Sequence, residues 1–188
     1  LTPLSLGISN SNYRVYTGER NLLLKISNDK NITQLTEEQR ILKYLSNHHY
    51  PYSICSLQLT NGDMVYQYKN YYGVVFPFIE GIPPGPSDLT CHEIGSALAT
   101  LHSLKHDSFQ LGQLRKHEEV GYGPQEILHY VNSQNCPDDF KEAFELFFPD
   151  KLESFFHAHF EKGVIHGDLY YDNTLFDQNH LKVVLDFE

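Results

Sequence analysis

Residues 166–188 read HGDLYYDNTLFDQNHLKVVLDFE, which sets His166, Asp168, Asn173 and Asp186 at the spacing a metal-dependent phosphoryl-transfer site requires. A His-x-Asp-x4-Asn run puts a proton acceptor and a hard oxygen ligand on one short loop. The apolar stretch that follows ends in a second carboxylate, Asp186. With 11 His, 11 Asp and 12 Asn in 188 residues, only about 0.04 such matches arise by chance, before the final aspartate is required. A solvated loop capping a hairpin is therefore the weaker account of these residues.

The elements around the motif must bring its two ends together. Residues 174–177 and 181–186 read as the strands of a hairpin around Gln178-Asn179-His180, so that the second strand returns Asp186 to the loop. Upstream, residues 13–17 and 21–26 flank the turn Gly18-Glu19-Arg20, and residues 54–59, 64–68 and 72–78 supply three further strands, with Asn61-Gly62 as a tight turn. About five antiparallel strands result. One helix interrupts them over residues 36–46, where Thr36 and Gln39 form a capping-box pattern ahead of Ile41, Leu42 and Leu45.

Gly81-Ile82-Pro83-Pro84-Gly85-Pro86 then breaks regular structure and marks a lobe boundary, which divides the chain into residues 1–80 and 81–188. Beyond it the pattern is helical. Thr90 and Glu93 form a second capping box before Ile94, Leu98, Leu101 and Leu104, and a further helix is predicted over residues 124–132. Phe140, Phe144, Phe147, Phe148, Phe155, Phe156 and Phe160 repeat at three and four, a core-facing stripe broken by Pro149. The class is α+β: an antiparallel β lobe with one helix, then a mainly helical lobe.

Composition narrows the partners. A net charge of −10, from 14 Lys+Arg against 24 Asp+Glu and with no basic run, excludes a surface for nucleic-acid backbones. An anionic nucleotide can still bind locally through backbone N–H groups, one lysine and a metal. Cys55, Cys91 and Cys136 are odd in number and lack metal-ligand spacing, which suits reduced thiols in a cytoplasmic protein. The longest strongly apolar run, residues 73–79, is too short to cross a bilayer, and no export signal is visible. The absence of an initiator Met and the stop two residues past Asp186 predict a longer native protein. Oligomeric state is not legible.

The lobe order and the HGD loop, with Gly7-Ile8-Ser9-Asn10-Ser11-Asn12-Tyr13, Phe78-Ile79-Glu80-Gly81 and Asp172-Asn173, resemble the protein-kinase-like small-molecule kinases. That branch includes aminoglycoside phosphotransferases, choline and ethanolamine kinases, and type II homoserine kinases. These motifs look closest to type II homoserine kinases, while Asn21-Leu22-Leu23-Leu24-Lys25 is equally similar to aminoglycoside phosphotransferases. The resemblance implies ATP and Mg²⁺ as cofactors and a small-molecule hydroxyl as acceptor. Asp168 is then the base for that hydroxyl, Asn173 and Asp186 are the metal ligands, and His166 holds the loop rather than moving a proton.

A lysine in an apolar strand needs an anionic partner. By resemblance, Lys25 reaches the nucleotide phosphates and pairs with Glu38, with Glu37 as the competing choice. Ser9, Asn10 and Ser11 lie where the family covers the phosphates, and adenine is expected to donate to the Pro77 carbonyl and accept from the Ile79 N–H. Homoserine or another amino alcohol leads the acceptors, with aminoglycoside or choline behind. An atypical protein Ser/Thr kinase and a nucleotide-binding pseudokinase module are the alternatives; the presence of Lys25, Asp168, Asn173 and Asp186 together argues against the second.

Overall fold

A computed structural model of the chain describes residues 1–4, 10–105, 124–147 and 163–187. The chain divides into two compact units: residues 1–114 with 164–188, and residues 115–163. Residues on both sides of Gly81 belong to the larger unit.

In the larger unit, β1 (Thr2–Leu4), β2 (Asn10–Tyr16), β3 (Asn21–Ser27), β4 (Val65–Tyr68) and β5 (Tyr71–Pro77) form one antiparallel sheet in the order β1-β2-β3-β5-β4. The expected count of five holds with one exchange of members. Residues 54–59 run beside β5 but give it one backbone bond, Leu57 N–H to the Val75 carbonyl at 2.7 Å, and then turn through Leu59 and Asp63. One bond is too few for a ladder. The missing place is taken by Thr2–Leu4, which a three-residue strand with no alternation does not announce.

β2 and β3 join through Gly18, whose φ of +92° is a left-handed conformation that glycine adopts without a Cβ clash. Gly73 answers a different need. A Cβ there would lie 2.2 Å from the Lys25 carbonyl and 2.4 Å from Tyr66 Oη, so only glycine lets β5 pass under the Tyr66 ring. Burial raises the Tyr66 phenol pKa above its usual 10.0.

Helix α1 (Ile32–Asn47) begins four residues before the predicted start. Its capping box is Asn31 with Gln34, and Thr36 instead bonds back to the Ile32 carbonyl at 2.7 Å. Asn31 is the better cap because it lies ahead of the whole apolar face, whose Leu35 packs with Val65 and Val74 of the sheet. Ile41, Leu42, Tyr44 and Leu45, further along the helix, belong to the main core.

That core also takes Ala97 and Leu101 from α2 (Asp88–His102), and Phe176, Leu181 and Val184 from a hairpin of β6 (Thr174–Asp177) and β7 (His180–Val184). α2 is capped by Ser87, whose Oγ accepts from Thr90 N–H, and Glu93 accepts instead from the Leu181 N–H at 3.3 Å. The second predicted capping box therefore joins α2 to β7 rather than closing its own helix. α1 thus contributes side chains both to the small cluster at the sheet and to the main core.

The smaller unit contributes α3 (Pro124–Val131) and α4 (Asp138–Phe147), with Tyr130 edge-on to Phe140 at 6.0 Å. Phe140 is 47% exposed and does not face a core as predicted, while Phe144 is half-buried. The rest of the stripe, from Phe148 on, lies outside the described residues. None of the described helices is long and apolar enough to cross a membrane.

Candidate active site

The loop before β6 is built around His166, which is 2% exposed. The Asp168 N–H donates to His166 Nδ1 at 3.2 Å, so that nitrogen carries no proton and Nε2 donates to the Leu185 carbonyl at 2.6 Å. With both nitrogens bonded to backbone, the imidazole splints the loop to the chain after β7. Gly167 between them has φ +89°, a conformation closed to most side chains. The turn presents Asp168 to solvent.

Asn173 fastens the other end of the loop. Its Nδ2 donates to the Asp168 carbonyl at 2.8 Å and lies 3.4 Å from Asp168 Oδ2, while its own carbonyl accepts from the Leu185 N–H at 2.8 Å. Leu185 is therefore held on both sides, by Asn173 through N–H and by His166 through C=O. The next residue but one, Phe187, is buried against His166 and Tyr50 at centroid distances of 4.6 and 6.0 Å. Asp186 lies between these two anchors with φ +54°, an uncommon left-handed conformation that an aspartate tolerates and that its anchored neighbours enforce.

Lys25 completes the group. Its Nζ meets Asp186 Oδ1 at 2.5 Å, with side chains 15% and 43% exposed. Lys25 is thus paired with Asp186, and the expected partner Glu38 is paired with Lys30 at 2.6 Å. Glu37 pairs with Arg40 along the helix. The physical reason is proximity: Lys30 lies in the turn leading into α1 and neutralises the buried Glu38, while the carboxylate facing the β3 lysine is the one delivered by β7.

Strand parity corrects a second expectation. Asn12 is opposite Lys25 in the β2–β3 register and shares its face, whereas Ser11 is opposite Ile26 and faces the other side, its hydroxyl 3.3 Å from Asn28 Oδ1. Asn10 keeps to the Lys25 face, and its Oδ1 is buried with no partner among the described residues. Ser9 lies outside the described residues. Period-two counting back from Lys25 places Asn12 on the Lys25 face.

At the end of β5, Phe78 N–H donates to the Asn21 carbonyl at 3.2 Å. Since Leu22 is opposite Pro77, the alternation of antiparallel pairs turns the Pro77 backbone away from β3. A proline is tolerated there because no ladder bond needs its N–H, and its carbonyl points to the open side. The chain then joins the hairpin through reciprocal bonds between Ile82 and Phe176 at 3.0 and 2.9 Å. Gly81 fits closely against it, since a Cβ would come within 3.0 Å of Leu175 Cβ and the Phe176 carbonyl.

The Tyr170 and Tyr171 rings meet beside the loop at 4.4 Å, tilted by 42°. The neighbouring Tyr171 raises the Tyr170 phenol above its ordinary pKa of 10.0, so Tyr170 stays a neutral phenol at physiological pH. Asn173 Oδ1 and the second Asp186 oxygen have no partner among the described residues. Two hard oxygens of this kind suit Mg²⁺. No trio of His, Cys, Asp or Glu side chains occurs among those residues, so a cation here would be completed by ligand oxygens and water.

A buried histidine splint, an exposed loop aspartate, and a strand lysine facing a carboxylate across two sheets accompany a match to the phosphotransferase enzyme family (APH) over residues 1–188. The chain belongs to this family. Among curated relatives of the phosphotransferase is a homoserine kinase of Nitrobacter winogradskyi, 26% identical over 96% of this chain. The chain spans 55% of that relative's length. Solved structures agree in fold: amicoumacin kinase hAmiN in complex with AMP-PNP, Ca²⁺ and Ami superposes with a TM-score of 0.65, at 17% identity, over 99% of this chain and 58% of the other. A thermostable mutant of aminoglycoside phosphotransferase APH(4)-Ia, in ternary complex with AMP-PNP and hygromycin B, gives 0.66 at 12% identity over 99% and 65%.

Proposed function

We propose that this phosphotransferase moves the γ-phosphoryl group of ATP to a hydroxyl of a small amino alcohol, with homoserine the first candidate. The observation that carries the reading is the convergence of Lys25 and Asp186, 2.5 Å apart, beside a loop whose Asp168 is exposed and whose Asn173 is fixed by it. The named curated relative, a homoserine kinase, supports the acceptor class.

Asp168 accepts the proton of the acceptor hydroxyl through an oxygen that no protein group occupies among the described residues. The hydroxyl oxygen bonds to the γ-phosphorus, the bond from that phosphorus to the β–γ bridging oxygen breaks, and ADP leaves. Lys25 binds phosphate oxygens once nucleotide draws it from Asp186. Asn173 and Asp186 would hold Mg²⁺, which supplies charge neutralisation on the phosphates when bound. Residues 1–80 contribute the nucleotide side, including Asn10, the Pro77 carbonyl and the Ile79 N–H, and residues 81–188 contribute the catalytic loop. The need for ATP and the free Cys55, Cys91 and Cys136 fit a cytoplasmic setting.

The test is ADP release, coupled to NADH oxidation, with homoserine, choline, ethanolamine, aminoglycosides and sugars as acceptors. Homoserine should give the highest kcat/KM. Phosphorylation of a peptide but none of these alcohols would replace the reading with a protein kinase, and Mg·ATP binding with no transfer at all would leave only a nucleotide-binding module.

A further inference from the structure

Arg14 is a charged residue that the proposed reaction leaves without a task. It lies in β2 opposite Leu23, two residues from Asn12, and therefore on the same face of the sheet as Lys25. Its guanidinium makes three contacts. Nε donates to Asn21 Oδ1 at 3.1 Å, Nη2 donates to Glu80 Oε1 at 2.5 Å, and Cζ lies 4.4 Å above the centre of the Phe78 ring. Asn21 in turn accepts the Phe78 N–H through its own carbonyl. One planar group thus joins β2, the start of β3 and both neighbours of Ile79.

The energetic scale excludes a role as a main support of the fold. Arg14 and Glu80 side chains are 36% and 72% exposed, and an exposed ion pair adds little stability. The contacts are geometric in character: a fork that bonds sideways while stacking on a ring sets direction, and a lysine cannot reproduce it. What they direct is the short backbone run from Pro77 to Glu80, where one outward carbonyl and one N–H without a partner among the described residues lie two residues apart.

We propose that Arg14 is a positioning residue for nucleobase choice: by holding Phe78 and Glu80 it fixes the Pro77 carbonyl and the Ile79 N–H in the register that accepts adenine and rejects guanine. The inference rests on the proposed ATP-dependent reaction. Adenine offers an amino donor and a ring acceptor to this pair; guanine offers an acceptor and a donor, so each of its groups meets its like. The discrimination holds only while the backbone cannot shift to suit the other base.

The experiment is titration of the intact protein with Mg·ATP and Mg·GTP by calorimetry, comparing the unmodified protein with Arg14→Ala, Arg14→Lys and Glu80→Gln, and recording Tm for each. The unmodified protein should prefer ATP. Arg14→Ala should weaken ATP binding about ten-fold with little change for GTP, Glu80→Gln about three-fold, and Arg14→Lys should restore at most part of the preference. Glu80→Gln decides alone if Arg14→Ala does not fold, because Glu80 is an exposed side chain. An unchanged ATP:GTP ratio, or equal losses for both nucleotides with a lowered Tm, overturns the role of Arg14 while leaving the kinase reading intact. Absence of Mg·ATP binding by the unmodified protein overturns both.

Discussion

The catalytic loop and the rim of the sheet above it are held by opposite means. Around His166, Asp168, Asn173 and Asp186 the contacts run through backbone atoms and a buried imidazole, and Leu185 alone is fixed twice. Around Arg14, Phe78 and Glu80 they run through part-exposed side chains, and the Arg14–Glu80 pair adds at most about 1 kcal/mol. Under the proposed function, the contrast would separate two demands of phosphoryl transfer. The reacting groups need rigid placement, whereas the nucleotide must enter and leave past a rim that can give.

The largest effect should come from Asp168→Asn. It removes the proposed proton acceptor while keeping the shape, so turnover should fall about 10²- to 10⁴-fold with Mg·ATP affinity held within about three-fold. Full activity in a coupled assay would take the base role away from Asp168.

Next comes His166→Ala, which leaves the Leu185 carbonyl and the Asp168 N–H without their buried partner and opens a space against Phe187. A loss of about 2–4 kcal/mol in urea unfolding is expected. A loss below about 0.5 kcal/mol would mean that the loop is not splinted through this ring, and the contrast between loop and rim would collapse.

The two lysine pairs give a finer test. Lys30→Met leaves the buried Glu38 carboxylate uncompensated and should cost about 1–3 kcal/mol of stability, with Mg·ATP affinity affected little. Lys25→Met should do the reverse, weakening Mg·ATP binding about ten-fold or more while moving Tm by only a few degrees. If calorimetry and thermal unfolding gave the two variants the same signature, the division between a structural and a ligand-binding lysine would fail. Glu37→Ala, which removes an intrahelical pair with the exposed Arg40, should change stability by about 0.5 kcal/mol or less in the same unfolding assay.

Much of this arrangement was readable from residue order. The β6–β7 hairpin, the return of Asp186 and the supporting role of His166 follow from the spacing, because a short loop and a tight turn leave few ways to connect the pieces. The side of the sheet taken by the Ser11 hydroxyl was not read, because parity had not been applied: Asn10 and Asn12 share the Lys25 face and Ser11 does not. Glu38 was paired with the wrong lysine because distance along the chain says nothing of which carboxylate another strand will bring. Asn31 was missed as a cap since Thr36 and Gln39 offer the same pattern inside the helix. Arg14 gave no local signal at all, because Phe78 and Glu80 are more than sixty positions away and only the sheet order brings them together.

The reciprocal bonds between Ile82 and Phe176 have a mechanical consequence. They rivet the strap leaving β5 to the hairpin that carries Asp186, so the strap and the hairpin form a single stiff lever with its fulcrum ahead of Gly81. Under the proposed function, opening for nucleotide exchange would bend the four residues from Pro77 to Glu80 and leave the rivet closed. Deuterium should enter the Ile79 amide early and the Ile82 and Phe176 amides late and in step, as two ends of one fastening.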